Sequence, residues 1–177
     1  IGLGSIGREI ARKAKLAYNM KVIATKKRLG DAVPNVDVLL PASELDALLR
    51  ESDFVVVAAA LTEETTGLIG ERELKLMKPT AYIVNIARGR IIEGTAILKA
   101  LREGWIAGAG LDVTDPEPLP SDSELYDAPN LFITPHVAAQ APNEKHTERS
   151  LKVFISNLKS YLKGEQMPTY VDKIRRY

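Results

Sequence analysis

The sequence predicts an α/β protein built on a doubly wound parallel sheet. Short β-branched or aliphatic runs alternate with stretches of helical period, which is the pattern of repeated βα units. Most of these runs are apolar enough to be buried on both faces, as the strands of a parallel sheet are. A glycine-rich turn lies between the first run and the first helical stretch. These three observations favour a parallel sheet with helices on both faces.

The first strand is reduced to Ile1, because a glycine cluster follows it at once. The predicted strands are Ile1, Val22–Thr25, Val36–Leu39, Phe54–Ala59, Ala81–Ile86, Ile106–Leu111 and Leu131–Thr134. Apolar residues at three- and four-residue spacings predict the helices Ile6–Ala17, Ser43–Arg50, Glu71–Met77, Glu93–Arg102 and Asn143–Leu162. Ser43 is the expected N-cap of the second helix. The proline-rich stretch Asp115–Ala128 has no periodicity and is predicted to be a functional loop.

Composition and charge narrow the class of protein. Of the 177 residues, 45% are hydrophobic and 27% are charged, as in an ordinary globular protein. Lys and Arg number 24 and Asp and Glu 23, so the overall charge indicates neither a nucleic-acid partner nor a membrane partner. The sequence contains no cysteine, which excludes disulfides, thiolate metal ligands and a cysteine nucleophile within it. The longest apolar run, Phe54 to Leu61, is far below the ~20 residues of a membrane span, and we expect a cytoplasmic protein without a metal site.

The glycine cluster at residues 2–7 fits the pattern G-x-G-x-x-G. Gly2 would permit a tight turn, Gly4 would let the backbone approach a pyrophosphate, and Gly7 would let helix and strand pack closely. The N-terminus of the following helix would supply amides and a positive dipole. A strand-to-helix turn without a ligand is the alternative, but the surrounding βαβ pattern favours a dinucleotide site of the Rossmann type.

The end of the second strand lacks the acidic residue that NAD-binding sites place there. Thr25 is followed instead by Lys26, Lys27 and Arg28, a hydroxyl and three cations. Such cations would neutralise the ribose 2′-phosphate of NADP(H), which favours NADP(H) over NAD(H). The alternative is a solvated basic loop that accepts either cofactor.

Three candidate catalytic residues follow three different predicted strands. Arg88 lies in Asn85-Ile86-Ala87-Arg88-Gly89, Glu117 follows Leu111-Asp112-Val113, and His136 ends Thr134-Pro135-His136. The carboxyl ends of parallel strands meet at one edge of a sheet, which is where ligands bind, so these side chains could converge.

The chemistry of these residue types fits the reduction of a 2-keto acid. Histidine exchanges protons near neutral pH, and a partner carboxylate such as Glu117 stabilises its protonated form. Arg88 offers a planar pair of donors for a substrate carboxylate. The residues alone leave Asp115 as an alternative to Glu117, and they leave a turn-capping role open for Asp112.

Several spaced segments occur in one order and together carry a resemblance to a known family. They are the glycine turn, Leu61-Thr62-Glu63-Glu64-Thr65, Met77-Lys78-Pro79, Asn85 to Gly89, Leu111-Asp112-Val113, Glu117-Pro118 and Thr134-Pro135-His136. The chain resembles the nucleotide-binding domain of the D-isomer-specific 2-hydroxyacid dehydrogenases nearly from end to end. Two segments depart from the pattern: Ala60 stands where the family commonly has proline, and Val137–Asn143 matches poorly.

The resemblance implies a role for each of these positions. Arg88 would bind the substrate carboxylate, His136 would be the acid/base with Glu117 as its partner, and Asp112 would contact the nicotinamide carboxamide. The positions implied to bind NAD(P) are Gly2, Gly4, Ser5, Ile6, Gly7, Thr25, Lys26, Lys27, Arg28, Ala60, Thr62, Ile86, Ala87 and Asp112. Formate dehydrogenases of the same fold have glutamine as the partner of the histidine, so Glu117 argues against that activity.

The resemblance also implies the organisation of the whole protein. Residues 1–163 would form the dinucleotide-binding domain, and residues 164–177 a tail that docks on a substrate domain absent from this sequence. The implied protein is a cytoplasmic homodimer that transfers a hydride between NAD(P)H and a small 2-keto or 2-hydroxy acid. The alternative is a dinucleotide-sensing dimeric scaffold, similar to corepressors of this family, with little turnover.

Overall fold

The computed structural model describes residues 1–29, 32–139 and 144–171, the last range without the side chains of 144–146. The strands are β1 (Ile23–Lys26), β2 (Val38–Pro41), β3 (Phe54–Val57), β4 (Tyr82–Asn85), β5 (Gly108–Leu111) and β6 (Leu131–Ile133). The helices are α1 (Ser5–Tyr18), α2 (Leu45–Glu51), α3 (Glu71–Leu76), α4 (Gly94–Arg102) and α5 (Glu144–Leu162). The predicted α/β fold with a parallel sheet is confirmed, and each predicted helix and strand beyond Ile1 has a counterpart.

The strands form a two-stranded sheet, β1-β2, and a four-stranded sheet, β3-β4-β5-β6, and every pairing is parallel. Ile1 and Gly2 connect the two sheets through backbone hydrogen bonds. The Ala58 N–H donates to Ile1 O at 2.9 Å, and the Gly2 N–H donates to Thr25 O at 3.2 Å. The predicted stub therefore occupies the place of a central strand between β1 and β3.

The main core lies on one face of the four-stranded sheet. Alternate strand residues such as Val55, Ile83 and Leu111 are buried there against Leu49 of α2 and Ile97 of α4. Period-two alternation turns the remaining strand residues to the opposite face. That face exposes the aromatic side chains of Phe54, Tyr82 and Phe132, so the expectation that these strands are buried on both faces is wrong. A smaller core beneath α1 consists of Leu3, Ala11, Ala24 and Val33.

Two local predictions are wrong. Ser43 does not cap α2, because a short 3-10 helix, Ala42–Glu44, follows Pro41 directly and α2 begins at Leu45. The predicted strand Val36–Leu39 begins two residues too early, because β2 starts at Val38. The Asp37 N–H donates to Val22 O at 2.9 Å and the Asp37 carboxylate accepts from the Val22 N–H at 2.7 Å, which holds this residue at the entry of β1.

The chain divides into two compact units, one of residues Ile1–His136 and one from Val137 onward. In the second unit, Asn157 of α5 donates to Thr169 Oγ1 at 2.5 Å and accepts from the Thr169 N–H at 3.2 Å. The predicted domain of residues 1–163 and the docking of the tail stay predictions. Asn143 and residues 172–177 lie outside the described residues. No helix within the described ranges combines the length and the apolar character needed to cross a membrane.

Candidate active site

The glycine turn connects Ile1 to α1 through close backbone contacts. Gly2 has φ +86°, and a Cβ atom there would lie 2.6 Å from Ala59 Cα. A Cβ atom on Gly7 would collide with the carbonyl oxygen of Gly2, so the first turn of α1 packs directly against the backbone that follows Ile1. Both positions require glycine, because backbone atoms cannot move aside as a flexible side chain can.

Gly4 differs from its two neighbours in the motif because space surrounds it. It is the N-cap residue of α1, and nothing lies within 4 Å of a Cβ atom built there. The first N–H groups of a helix, here those of Ser5, Ile6 and Gly7, have no partner within the helix, and the helix dipole makes this end positive. A pyrophosphate needs open space beside several amides, and the residues of this turn fit that requirement.

The end of β1 lies beside the glycine turn. Thr25 is buried, and its carbonyl is the one that accepts from the Gly2 N–H. The basic run continues from there onto the surface, where Lys27 Nζ lies 2.6 Å from a carboxylate oxygen of Glu64. Thr25 is therefore adjacent to the glycine turn, and Lys26, Lys27 and Arg28 follow it directly in the chain.

The segment after β3 is a turn stabilised by threonine side chains. Thr65 Oγ1 donates to Ala60 O at 2.7 Å and accepts from the Thr62 N–H at 2.8 Å. Thr66 Oγ1 donates to Thr62 O at 2.8 Å. Ala60 and Thr62, both predicted to bind the cofactor, are thus held by a hydrogen-bonded turn that also carries Glu64.

Asn85 organises the end of β4. Its side chain is 1% exposed, its Nδ2 donates to Arg88 O at 2.9 Å, and its Oδ1 accepts from the Ala87 N–H at 3.0 Å. The exposed Arg88 donates from Nη1 to Ala87 O at 2.6 Å. Gly89 lies against the backbone of Thr114, so closely that a Cβ atom would collide with the Thr114 carbonyl. This contact brings the loop that carries Arg88 to the loop that follows β5.

The loops after β5 and β6 bring Glu117 and His136 together. His136 Nδ1 lies 2.6 Å from Glu117 Oε1, and their side chains are 44% and 39% exposed. His136 has φ +55°, and its N–H donates to Asp112 O at 2.9 Å. Thr134 Oγ1 donates to Asp112 Oδ1 at 2.5 Å. The backbone of this histidine is therefore tied to the end of the neighbouring strand.

A cavity of about 610 Å³ lies beside this pair. Asp112, Thr114, Glu117, Thr134 and His136 supply its polar wall. Its apolar wall consists of Pro118, Leu119, Leu125, Tyr126, Leu131, Ile133 and Pro135. A histidine and a carboxylate in contact at the edge of such a cavity can hold a proton and pass it to a bound molecule.

Two residues that position these catalytic candidates were not predicted from the sequence. Asn85 is a buried polar residue that positions the loop of Arg88, and Thr134 holds the Asp112 carboxylate. An amide side chain at the end of an otherwise apolar strand is the signal by which Asn85 could have been found. The described residues contain no group of three or more His, Asp or Glu side chains arranged to hold a metal ion.

The chain is similar to known proteins over nearly its whole length. Residues 1–138 match the model of the D-isomer specific 2-hydroxyacid dehydrogenase family, NAD binding domain. A glyoxylate reductase of Thermococcus gammatolerans is 44% identical over 178 residues, which cover 98% of this chain and 50% of that protein.

Solved structures show the same fold. An NADPH-dependent glyoxylate/hydroxypyruvate reductase from Sinorhizobium meliloti, in complex with NADP and sulfate, superposes with a TM-score of 0.88 at 29% identity, over 99% of this chain and 56% of that chain. A D-isomer specific 2-hydroxyacid dehydrogenase from Xanthobacter autotrophicus, in complex with NADPH and MES, gives a TM-score of 0.89 at 31% identity. The match covers 100% of this chain and 72% of that chain. The chain spans about half the length of the curated relatives it matches.

Proposed function

Because the chain belongs to the D-isomer-specific 2-hydroxyacid dehydrogenases, whose NAD-binding domain its residues 1–138 match, we propose that it carries the catalytic groups of an NAD(P)H-dependent 2-keto acid reductase. The main support for this proposal is the 2.6 Å contact between His136 Nδ1 and Glu117 Oε1 beside the cavity. NAD(P)H, when bound, would supply the hydride for the carbonyl carbon of the keto acid.

His136 is the proton donor of this reaction. Glu117, as a carboxylate, accepts from Nδ1 and leaves Nε2 as the nitrogen that gives its proton to the carbonyl oxygen of the substrate. A 2-hydroxy acid results, and Glu117 stabilises the positive charge of the imidazolium before the transfer. In the reverse direction the same nitrogen accepts the hydroxyl proton.

Arg88 binds the carboxylate of the substrate. One of its five N–H donors is engaged by Ala87 O, so a pair of donors stays available for a two-pronged contact. Asn85 holds the backbone of this residue, which limits the positions that the guanidinium can reach. The contact between Gly89 and Thr114 supports the assignment, because it places this loop beside the one that carries Glu117.

The remaining positions serve the cofactor. Gly4, Ser5, Ile6 and Gly7 receive the pyrophosphate at the N-terminus of α1. Asp112 contacts the nicotinamide carboxamide and is oriented by Thr134. The other cofactor positions are Gly2, Thr25, Ala60, Thr62, Ile86 and Ala87.

The cofactor preference is for NADP(H), and the cations that follow β1 support it. Lys26, Lys27 and Arg28 stand where a ribose 2′-phosphate would need countercharge, and no carboxylate of this segment would receive a 2′-hydroxyl. Each charge-assisted contact contributes about 1.5–3 kcal/mol, so NADPH should bind at least about tenfold more tightly than NADH.

We further propose that the protein is a cytoplasmic homodimer with a separate substrate-binding domain, on which residues 164–177 dock. Apolar side chains of α5, among them Leu151, Phe154 and Leu158, are exposed and support burial in an association. A small 2-keto acid is the substrate class, as the name of the glyoxylate reductases suggests for this site.

The test is the reduction of glyoxylate, hydroxypyruvate and pyruvate by the full-length protein with NADPH and with NADH. We expect reduction of at least one keto acid and a higher kcat/KM with NADPH. Glu117→Gln should lower kcat for reduction of the keto acid, because the imidazolium of His136 loses its countercharge. Asp115→Asn is the matched control and should leave kcat unchanged. The reverse pattern would assign the partner role to Asp115, and absence of reduction with every keto acid would refute the proposed function.

A further inference from the structure

The ion pair between Lys27 and Glu64 connects two elements that flank the glycine turn. Lys27 directly follows β1, and Glu64 lies in the turn after β3. Lys27 Nζ contacts both carboxylate oxygens of Glu64, at 2.6 and 2.8 Å. The ends of β1 and β3 lie on either side of Gly2, since Thr25 O accepts from the Gly2 N–H and a Cβ atom on Gly2 would lie 2.6 Å from Ala59 Cα.

The two partners differ in how firmly they are held. Glu64 lies in the turn braced by the hydroxyls of Thr65 and Thr66, which bond to Ala60 O and Thr62 O. Lys27 lies in a surface segment outside the strand, and the side chains of Lys27 and Glu64 are 57% and 66% exposed. The backbone of Glu64 is therefore held by its turn, and the pair itself forms between two exposed side chains.

We propose that Glu64 is a specificity-determining residue for the cofactor, which pairs with Lys27 and thereby withholds one cation from the ribose 2′-phosphate of NADP(H). This inference rests on the proposed dinucleotide site. To bind Lys27, a 2′-phosphate has to separate the Lys27 ammonium from Glu64. The phosphate then lies near the negative charge of the Glu64 carboxylate. A 2′-hydroxyl carries no charge and requires neither change.

The expected effect is moderate, because both partners are exposed. An exposed ion pair changes an equilibrium by up to about fivefold, and relief of repulsion between carboxylate and phosphate adds to this. Glu64→Gln should therefore strengthen binding of a 2′-phosphate by about three- to tenfold. Binding of a ligand with a free 2′-hydroxyl should change by less than about twofold, and higher ionic strength should reduce the difference.

The test uses two adenosine probes, 2′,5′-ADP and 5′-AMP, titrated calorimetrically into the full-length protein. Variant Glu64→Gln should raise the affinity ratio of 2′,5′-ADP to 5′-AMP. Variant Glu63→Gln removes the same charge from the same turn and is the matched control, with a ratio close to that of the wild type. In a Lys27→Met background, Glu64→Gln should lose most of its effect, because the pair is already absent.

The outcomes separate this inference from the cofactor site itself. An unchanged ratio in Glu64→Gln, while both probes bind, overturns the role of Glu64 alone. An equal rise in Glu63→Gln, or a full effect in the Lys27→Met background, also overturns it, because net charge rather than the pair would then set the ratio. Failure of both probes to bind any variant overturns the proposed dinucleotide site and this inference with it.

Discussion

Removal of the Asn85 side chain tests how the loop of Arg88 is held. In Asn85→Ala, the Ala87 N–H loses its partner, and the Arg88 carbonyl loses one of two hydrogen bonds and keeps the one from the Ile91 N–H at 3.2 Å. Ala87 is buried, so water cannot replace the lost bond, and leaving its N–H without an acceptor costs about 1–3 kcal/mol. Arg88 is exposed, so water can replace the bond to its carbonyl at a cost of about 1 kcal/mol.

Together these losses should lower the free energy of unfolding by about 2–4 kcal/mol. A domain of ordinary stability survives such a loss, so the variant can also be assayed for activity. A displaced Arg88 should lower kcat/KM for the keto acid by about 10- to 100-fold, because small shifts of a positioning group are costly.

The measurement combines urea unfolding, followed by circular dichroism, with steady-state kinetics on the full-length protein. Val84→Ala, one residue earlier in β4, is the control. It shortens the side chain of a residue paired with Gly110 of β5 and leaves the Asn85 bonds in place, so it should lower stability without a matching loss of kcat/KM. An Asn85→Ala variant with wild-type stability, or a fall in kcat/KM equal to that of the control, would refute the positioning role.

Three further predictions concern the catalytic pair, the substrate and stability. His136→Ala should lower kcat by a factor of about 10²–10⁴ and leave the dissociation constant of NADPH nearly unchanged, since only proton transfer is removed; near-normal turnover would contradict the acid/base role. Arg88→Lys should raise KM for the keto acid more than the dissociation constant of NADPH, because a point charge cannot replace the two-pronged contact; equal losses would make Arg88 structural. Lys15, and then the Val22 N–H, hold the pKa of Asp37 below its ordinary value of 3.8. Asp37→Asn should therefore lower the thermal midpoint at neutral pH. The difference from wild type should disappear as the pH falls below 3.8 and through the lowered pKa of Asp37 in the folded protein. A difference that does not depend on pH would contradict this.

The sequence by itself was sufficient for the fold class and for the order of helices and strands. Buried parallel strands must be apolar on both faces, and helices must keep one apolar face, so both patterns are visible without coordinates. The glycine motif was also readable, because the left-handed φ of Gly2 and the close approach at Gly7 exclude other residues. Local capping was less predictable: Ser43 has a favourable residue type, but Pro41 and the short 3-10 helix that follows it decide where α2 begins.

Only the tertiary structure decided which separated residues meet. Glu117 and Asp115 flank the same proline, and residue chemistry alone could not choose between them, whereas loop geometry brings Glu117 to His136 at 2.6 Å. Likewise, no local pattern couples Lys27 to Glu64, 37 positions apart, because their contact depends on the ends of β1 and β3 lying on either side of the glycine turn. A sequence pattern shows whether a segment is apolar, amphipathic or rich in glycine, and so how it must be buried. Whether two distant segments touch depends on the distance between their ends, and the folded sheet sets that distance.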